Sequence, residues 1–377
     1  MVYVSKLAGF LARIALLVIP VICHPGEIHD ATAVKNEIHA RNLVAATGKH
    51  LLDACSNSLE ARALQARSIV RRANTVHELR QKRDITGKAQ KFRRDLQSLD
   101  TYEAINHNMT GVKHYTPNTP EHTIFSANTS CILTPSIVSG PYYVWGEHIR
   151  KNVVEDKWCD GIDLHLEVQY IDFNTCKPVP GLWVDHWSAN ASGIYSGIDI
   201  AANEAADGWN STYLRGVQPT DKDGVVNFDS IFPGHYHGRA THTHLLVHSN
   251  VTVNPNGTLE VGTGAISHVG QLFYNTVLRN AVEKTYPYNT NTQPVVTNEE
   301  DRFTPGQADN DYDPFPEFLY LGDDITDGLF AWIQVGINMT QDWTSNSPYY
   351  VAAAWYGEDG GVENPESPFM NGTISLL

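Results

Sequence analysis

Residues 162–170 read Ile-Asp-Leu-His-Leu-Glu-Val-Gln-Tyr, apolar at every even number and polar at every odd one. A strand points successive side chains to opposite faces. The alternation therefore predicts a half-buried β-strand with Ile162, Leu164, Leu166, Val168 and Tyr170 turned inward and Asp163, His165, Glu167 and Gln169 outward. Cys176 to Gly181, with Pro178 and Pro180, makes a turn after it. Further strand candidates are 182–187, 225–231, 242–253, 271–274 and 329–337, parted by Gly, Asp, Asn and Pro. Short strands with turn residues between them predict a mainly β chain folded as an antiparallel β-sandwich.

Outside this core the period changes. In 27–97 the apolar residues Val34, Ile38, Leu43, Val44, Leu51, Leu52, Leu59, Leu64, Ile69, Val70, Val76 and Leu79 recur at three- and four-residue steps, as in helices. Asp30 suits a helix start, and Gly48 and Ser56-Asn57-Ser58 break or separate helices. The organisation expected is a signal at 1–23, a basic helical segment at 24–97, a Pro-bearing linker at 98–125, the β-sandwich at 126–340 and an irregular C-terminal wrap at 341–377. The helical segment is a candidate propeptide or dimerisation region, because Lys82-Arg83 suits a dibasic-processing protease and the apolar stripe suits a homodimer. The plainer reading of Lys82-Arg83 is a solvated helix face.

The chain has 377 residues with Lys+Arg 27 and Asp+Glu 42, a net charge of −15. The charge is uneven: 24–100 holds 14 basic against 9 acidic residues, so the body beyond it is strongly acidic. An acidic surface repels phosphate, which argues against a nucleic-acid partner. Residues 1–23 carry Lys6, an apolar run from Leu11 to Ile22 interrupted by Arg13, and Pro20 before a Val21-Ile22-Cys23 cleavage site, the pattern of a secretory signal. The run is too short to span a bilayer, so no membrane association is expected once it is removed. Sequons at Asn108, Asn128, Asn190, Asn210, Asn250, Asn256, Asn338 and Asn371 agree with a secreted, extracellular glycoprotein. Without Cys23 an even set remains, Cys55, Cys131, Cys159 and Cys176, suited to two disulfides with three connectivities open. Cys159 and Cys176 flank one strand-like segment and could pair. No CxxC spacing favours a zinc site.

The chemistry concentrates in Ile231-Phe-Pro-Gly-His-Tyr-His-Gly-Arg-Ala-Thr-His-Thr-His244. Two residues apart on a strand, His242 and His244 share a face about 6.6 Å apart, close enough to bind one metal side by side. Such a pair alone is common on sheet faces. Its neighbours sharpen it: Pro233-Gly234-His235-Tyr236 and Arg239 precede it, and Trp183-Val-Asp-His-Trp-Ser-Ala-Asn-Ala-Ser-Gly-Ile-Tyr195 lies upstream.

Here the chain resembles the intradiol ring-cleavage dioxygenases, the catechol and protocatechuate dioxygenase family, and its secreted fungal branch in particular. The family form V-x-x-W-x-A-N-x-x-G-x-Y is matched at Val184, Trp187, Ala189, Asn190, Gly193 and Tyr195. The Pro-Gly-x-Tyr turn is matched at 233–236, and Arg-Pro-Ala-His-x-His at Arg239, His242 and His244, with Ala240-Thr241 departing from Pro-Ala. Ser139-Gly-Pro-Tyr-Tyr143, Tyr213-Leu-Arg-Gly216, Thr220-Asp-Lys-Asp-Gly224 and Gly270-Gln-Leu-Phe-Tyr274 resemble further family segments, so the likeness spans about 131–275. It implies a mononuclear non-haem Fe(III) held by Tyr195, Tyr236, His242 and His244, and cleavage of a catechol-type phenol with O2 to a muconate-type diacid. Tyr195 would be the equatorial tyrosinate and Tyr236 the axial one, displaced by substrate and accepting its proton. Arg239 would stabilise carbanion character and Gln271 would orient the oxygenated intermediate. Ferric iron, a hard cation, suits two anionic phenolates and two neutral imidazoles. The competing readings are a transthyretin-like secreted binding module without activity, and a copper or zinc enzyme drawing on the further histidines His235, His237 and His248; His186 reads as structural.

Overall fold

The structure, a computed structural model, describes residues 46–85, 139–200, 203–260, 263–301, 303–304, 313–344, 352–357, 360–367 and 370. The signal at 1–23, Asp30, Cys131, the linker at 98–125 and the sequons at Asn108, Asn128 and Asn371 lie outside the described residues. No described helix is long and apolar enough to cross a membrane.

Twelve strands are described: β1 (Val144–Trp145), β2 (Asp163–Asp172), β3 (Lys177–Pro178), β4 (Trp183–Trp187), β5 (Arg215–Pro219), β6 (Val225–Ile231), β7 (His242–Ser249), β8 (Ala265–Phe273), β9 (Glu317–Tyr320), β10 (Leu329–Ile337), β11 (Ala354–Gly357) and β12 (Gly360–Glu363). One sheet runs β3-β2-β10-β9 with β6 on β2, and a second runs β5-β4-β7-β8. They face each other as the expected sandwich. Leu164, Leu166, Val168 and Tyr170 of β2, Phe228 of β6 and Ile333 of β10 meet Val184 of β4 and Leu245 and Val247 of β7 in one buried core. The pairing is not wholly antiparallel, because β10 runs parallel to β2 along its length.

The other face of β2 departs from its sequence reading. Every residue from Leu164 to Asp172 is buried, including His165, Glu167 and Gln169. A helix covers them. The described part of a first helix, 46–55 (α1), ends at the Ser56-Asn57-Ser58 break, and α2 (Leu59–Lys82) follows. Ser58 Oγ accepts from Ala61 N at 3.1 Å, capping α2, while Glu60 in its first turn and Arg80 and Lys82 in its last suit the helix dipole. Leu64, Ser68, Arg72, Val76 and Leu79 form its buried stripe. Val76 and Leu79 pack on Leu319, Leu321, Phe330 and Trp332. Each such side chain contributes about 1.5–3 kcal/mol when fully buried. The stripe from which self-association was expected therefore lies on this chain's own sheet.

Beside the apolar contacts stands a buried ion cluster. Arg72 Nε reaches Glu167 Oε1 at 2.7 Å, Arg71 Nε reaches Glu167 Oε2 at 3.0 Å, and Ser68 Oγ donates to Gln169 Oε1 at 3.2 Å. Arg67 pairs with Asp223, and Arg83 with Asp163. Glu167, an outward-pointing acid of β2, thus faces arginines instead of water.

Cys55 and Cys176 form a disulfide, joining the helical segment to the turn after β2. The local Cys159–Cys176 pairing does not form. Ten residues of β2 lie between them, and at about 3.3 Å each they hold its ends roughly 33 Å apart. Cys159 is buried as a free thiol.

Within the described part of the C-terminal wrap two short strands occur. Strand β11 pairs parallel to β1 and antiparallel to β12, and Ala352, Ala353 and Ala354 are fully buried beside Tyr142 and Tyr143. A third helix, α3 (Thr276–Val282), follows β8 and was not read from sequence, like β5 and β9.

Burial alone would raise the Glu167 carboxyl, but the charges of Arg72 and Arg71 outweigh it and hold it below 4.5. A depressed acid stabilises the fold fully above its unfolded value and loses that contribution as pH falls through the folded one. Protection factors of the amides in 59–82, corrected for the pH dependence of intrinsic exchange, are expected to fall below about pH 4.5. Glu167→Gln, which strands two guanidinium groups, should cost about 3–5 kcal/mol in chemical denaturation and abolish that acid dependence.

Candidate metal centre

Strand β7 is paired on both edges. His244 lies opposite Trp187 of β4 and Gln271 of β8, and His242 opposite Phe273. Paired residues project to the same side, so the site forms on the face turned away from the inter-sheet core. His242 and His244 are buried with their Nε2 atoms 2.9 Å apart. His242 Nδ1 donates to Ala240 O at 2.6 Å. A carbonyl only accepts, so the proton sits on Nδ1 and the Nε2 lone pair faces the site. Trp187 stacks on the His244 ring at 4.6 Å and 8°.

The two tyrosines arrive on loops. Tyr236 Oη stands 3.3 Å from His242 Nε2. The Tyr195 ring meets Tyr236 edge-on at 5.3 Å and His244 at 5.9 Å. Tyr142 stacks on Tyr195 at 4.6 Å and 13°. Two glycines let these loops nest. Gly193 has φ +79° and a Cβ there would collide with the His235 carbonyl, while one on Gly234 would collide with the Asn190 and Ala191 carbonyls. Asn190 Oδ1 accepts from Ser192 N and Ile194 N, which shapes the turn before Tyr195. Asn190 is only 8 % exposed, so this sequon is committed to the fold.

Arg239 and Gln271 join the same face. Arg239, fully buried, donates to the Gln271 side-chain carbonyl and to Asp301 Oδ2 at 2.8 Å, with Phe303 beneath its guanidinium at 4.8 Å. Because Gln271 Oε1 is thereby engaged, its amide nitrogen is turned elsewhere and is buried with no partner among the described residues. Asp301 also accepts from Ala240 N, securing the residue whose carbonyl holds His242. Asp301, 62 residues from Arg239, carried no motif in the sequence.

The other histidines stand apart. His235 bonds Glu283 and the Gln293 carbonyl, His248 bonds Asp185 and Tyr143, and His237 is exposed. His186 is buried against Phe228 with both ring nitrogens unpartnered among the described residues. Among the described residues no three His, Cys, Asp or Glu side chains gather as a metal site.

The donor set fits an iron with mixed oxygen and nitrogen ligands. Imidazole nitrogens bound to one metal at about 2.0–2.1 Å and at right angles would lie about 2.9 Å apart, the separation found for His242 and His244. Burial pushes both phenols up from their ordinary range. Tyr195 Oη has no hydrogen bond of normal geometry among the described residues, though the Tyr236 phenol is near enough to influence it. A buried hydroxyl so placed is incomplete until something binds it.

Residues 138–254 match the family model described as "Dioxygenase". An intradiol ring-cleavage dioxygenase from the mite Tetranychus urticae is 32% identical, with 57% of this chain covering 98% of that one, at a TM-score of 0.46. The chain belongs to the intradiol ring-cleavage dioxygenases. A second dioxygenase structure is 31% identical over the same shares, at a TM-score of 0.45. The catechol 1,2-dioxygenase of Acinetobacter sp. ADP1 is more distant, at 19% identity over 55% of this chain and 63% of that one, with a TM-score of 0.35. No curated protein matches the chain. The assignment rests on sequence identity across nearly the whole mite enzyme, and it makes this chain a dioxygenase and an oxidoreductase.

Two substitutions test the surroundings of the site. Burial would raise Asp301, but the Arg239 charge outweighs it and brings the carboxyl down from 3.8 to about 2. Its contribution is therefore present above 3.8 and lost as pH falls toward 2. Asp301→Asn is expected to cost about 3–5 kcal/mol at neutral pH, read by chemical denaturation, because it leaves Arg239 buried without its counter-charge. Burial lowers His186 from 6.5 to about 3, so protons favour the unfolded chain as pH drops below 6.5. His186→Leu should raise stability by about 1 kcal/mol at pH 7, and by more at pH 5, by removing an unsatisfied group.

Proposed function

We propose that this dioxygenase opens a catechol-type ring between its two hydroxyl-bearing carbons. Both atoms of O2 enter the product, a muconate-type diacid. The observation that carries this is the convergence of His242 Nε2, His244 Nε2 and Tyr236 Oη, with the Tyr195 phenol beside them, in a buried space. Tyr195, Tyr236, His242 and His244 would hold non-haem Fe(III), whose Lewis acidity would activate a chelated catechol toward O2.

The chain's own groups supply the rest. Tyr236 Oη, next to His242, would accept a proton from the incoming phenol when held as the phenolate by the metal. Arg239, fixed by Asp301 and Gln271, is a buried positive charge that would stabilise carbanion character in the ring. The Gln271 amide nitrogen offers an uncommitted N–H donor on the same face. Trp187, stacked on His244, holds that imidazole plane, and Tyr142 against Tyr195 helps keep water out.

Secretion is part of the proposal, supported by the apolar N-terminus, the sequons and the Cys55–Cys176 bridge, a bond favoured in oxidising compartments. The deciding measurement is iron quantitation with a visible spectrum, before and after catechol is added without oxygen. One iron per chain, a visible phenolate-to-iron band and its shift on catechol addition are expected. Tyr195→Phe should weaken and shift the band, leaving the Tyr236 phenolate's share, and lower ring opening at least 100-fold; a variant with the wild-type band and activity would overturn the assignment. A colourless, iron-free wild-type protein would favour the binding-module reading instead.

A further inference from the structure

Tyr195 does not lie on a strand. It occupies the loop between β4 and β5, where no neighbouring strand can satisfy its N–H and C=O. The residue is fully buried, so water cannot serve them either. One side chain serves both. Asn203 Oδ1 accepts from Tyr195 N at 2.8 Å, and its Nδ2 donates to Tyr195 O at 2.7 Å and to Ile198 O at 2.7 Å. Both protons of the amide are thereby used, and Asn203 is only 2 % exposed. The Asn203 N–H itself donates to Ile200 O at 2.8 Å.

The residues after Tyr195 are gripped as firmly. Arg215 Nη2 and Nε donate to Ser196 O at 2.7 and 3.0 Å, Ser196 Oγ donates to Tyr213 O at 2.6 Å, and Gly197 N donates to Ser211 Oγ at 2.8 Å. The far end of Tyr195 has no comparable hold. Its hydroxyl lacks a hydrogen bond of normal geometry among the described residues, with the Tyr236 phenol near it and the rings of Tyr142, Tyr236 and His244 around it. The phenol oxygen is therefore aimed from the backbone. It stands roughly 6.5 Å out from its Cα by standard bond lengths, so a 10° tilt displaces it by about 1 Å, beyond what a ligand set tolerates.

We infer that Asn203 is the positioning residue for Tyr195, replacing for one loop residue the two hydrogen bonds a neighbouring strand would give and so fixing the approach of its oxygen to the metal. The inference rests on the proposed ligand role of Tyr195. It extends that role to a side chain eight residues further on, outside every motif described above.

Two variants and one control test it. Asn203→Asp keeps the acceptor for Tyr195 N–H and removes both donors, while Asn203→Ala removes all three bonds. Expected for both are an iron affinity about 10–100-fold weaker by chelator competition, as for other groups that orient ligands. A shifted or weakened phenolate-to-iron band should accompany it, as should a fall in kcat with KM within threefold of wild type. Should Asn203→Ala fail to fold, Asn203→Asp carries the test. Variants that fold and keep wild-type iron affinity and band would overturn the inference, whatever their melting temperature, because the residue would then be structural only. Tyr195→Phe measured alongside separates the two layers. If it keeps the wild-type band, the ligand assignment falls; if its band weakens and shifts while the Asn203 variants match wild type, only the positioning role falls.

Discussion

Everything at the site depends on the register of one doubly paired strand. With β4 on one edge and β8 on the other, β7 cannot rotate its side chains independently of its neighbours. Strand side chains alternate strictly, so a slip of one residue would turn His242 and His244 into the apolar layer between the sheets. The same slip would bring Thr243 to the face where Trp187 and Gln271 now stand level with His244. The pairing becomes irregular only after Val247, beyond the two imidazoles.

Around that strand each functional side chain is held by a group from elsewhere in the chain. Ala240 sets the His242 tautomer through its carbonyl, and Asp301 binds both the Ala240 N–H and the Arg239 guanidinium. The Asn190 turn leads into Tyr195, and Gly193 and Gly234 let the two tyrosine loops touch. On the opposite side of the sandwich the same tactic serves a different end. Arg71 and Arg72 make it tolerable to bury Glu167, so a sheet face that would otherwise be wet becomes a seat for α2. Buried charge is therefore compensated on both outer faces of the sandwich, and the apolar core lies between them.

What the sequence disclosed was local. The strand period at 162–170, the ends of β6 and β10, and the break at Ser56-Asn57-Ser58 are written in neighbouring residues and reappear in the fold. The six residues proposed for the site could be picked out in the sequence, because each sits in a short motif of a strand or turn, and the fold brings them to one face. What could not be read depends on distant partners. Periodicity marks His165, Glu167 and Gln169 as a polar face, and water is the default partner of such a face; nothing local says that arginines a hundred residues earlier will take its place. Asp301 and Asn203 are ordinary polar residues until the fold brings Arg239 and Tyr195 to them. The strands after residue 350 are short and lie among turn formers, so their burial against Tyr142 and Tyr143 leaves no periodic trace.

The bond between Cys55 and Cys176 changes what severing the chain would do. It fastens the helical segment to the β-core upstream of Lys82-Arg83, and the ion pairs beneath α2 hold the same two bodies together without covalent help. A cut anywhere between Arg83 and Ser139 would leave two polypeptides in one particle, inseparable by size until a reductant and a denaturant act together. Removal of the leader would then be a matter of redox state as much as of proteolysis, and the sheet face under α2 would stay sealed in the nicked protein.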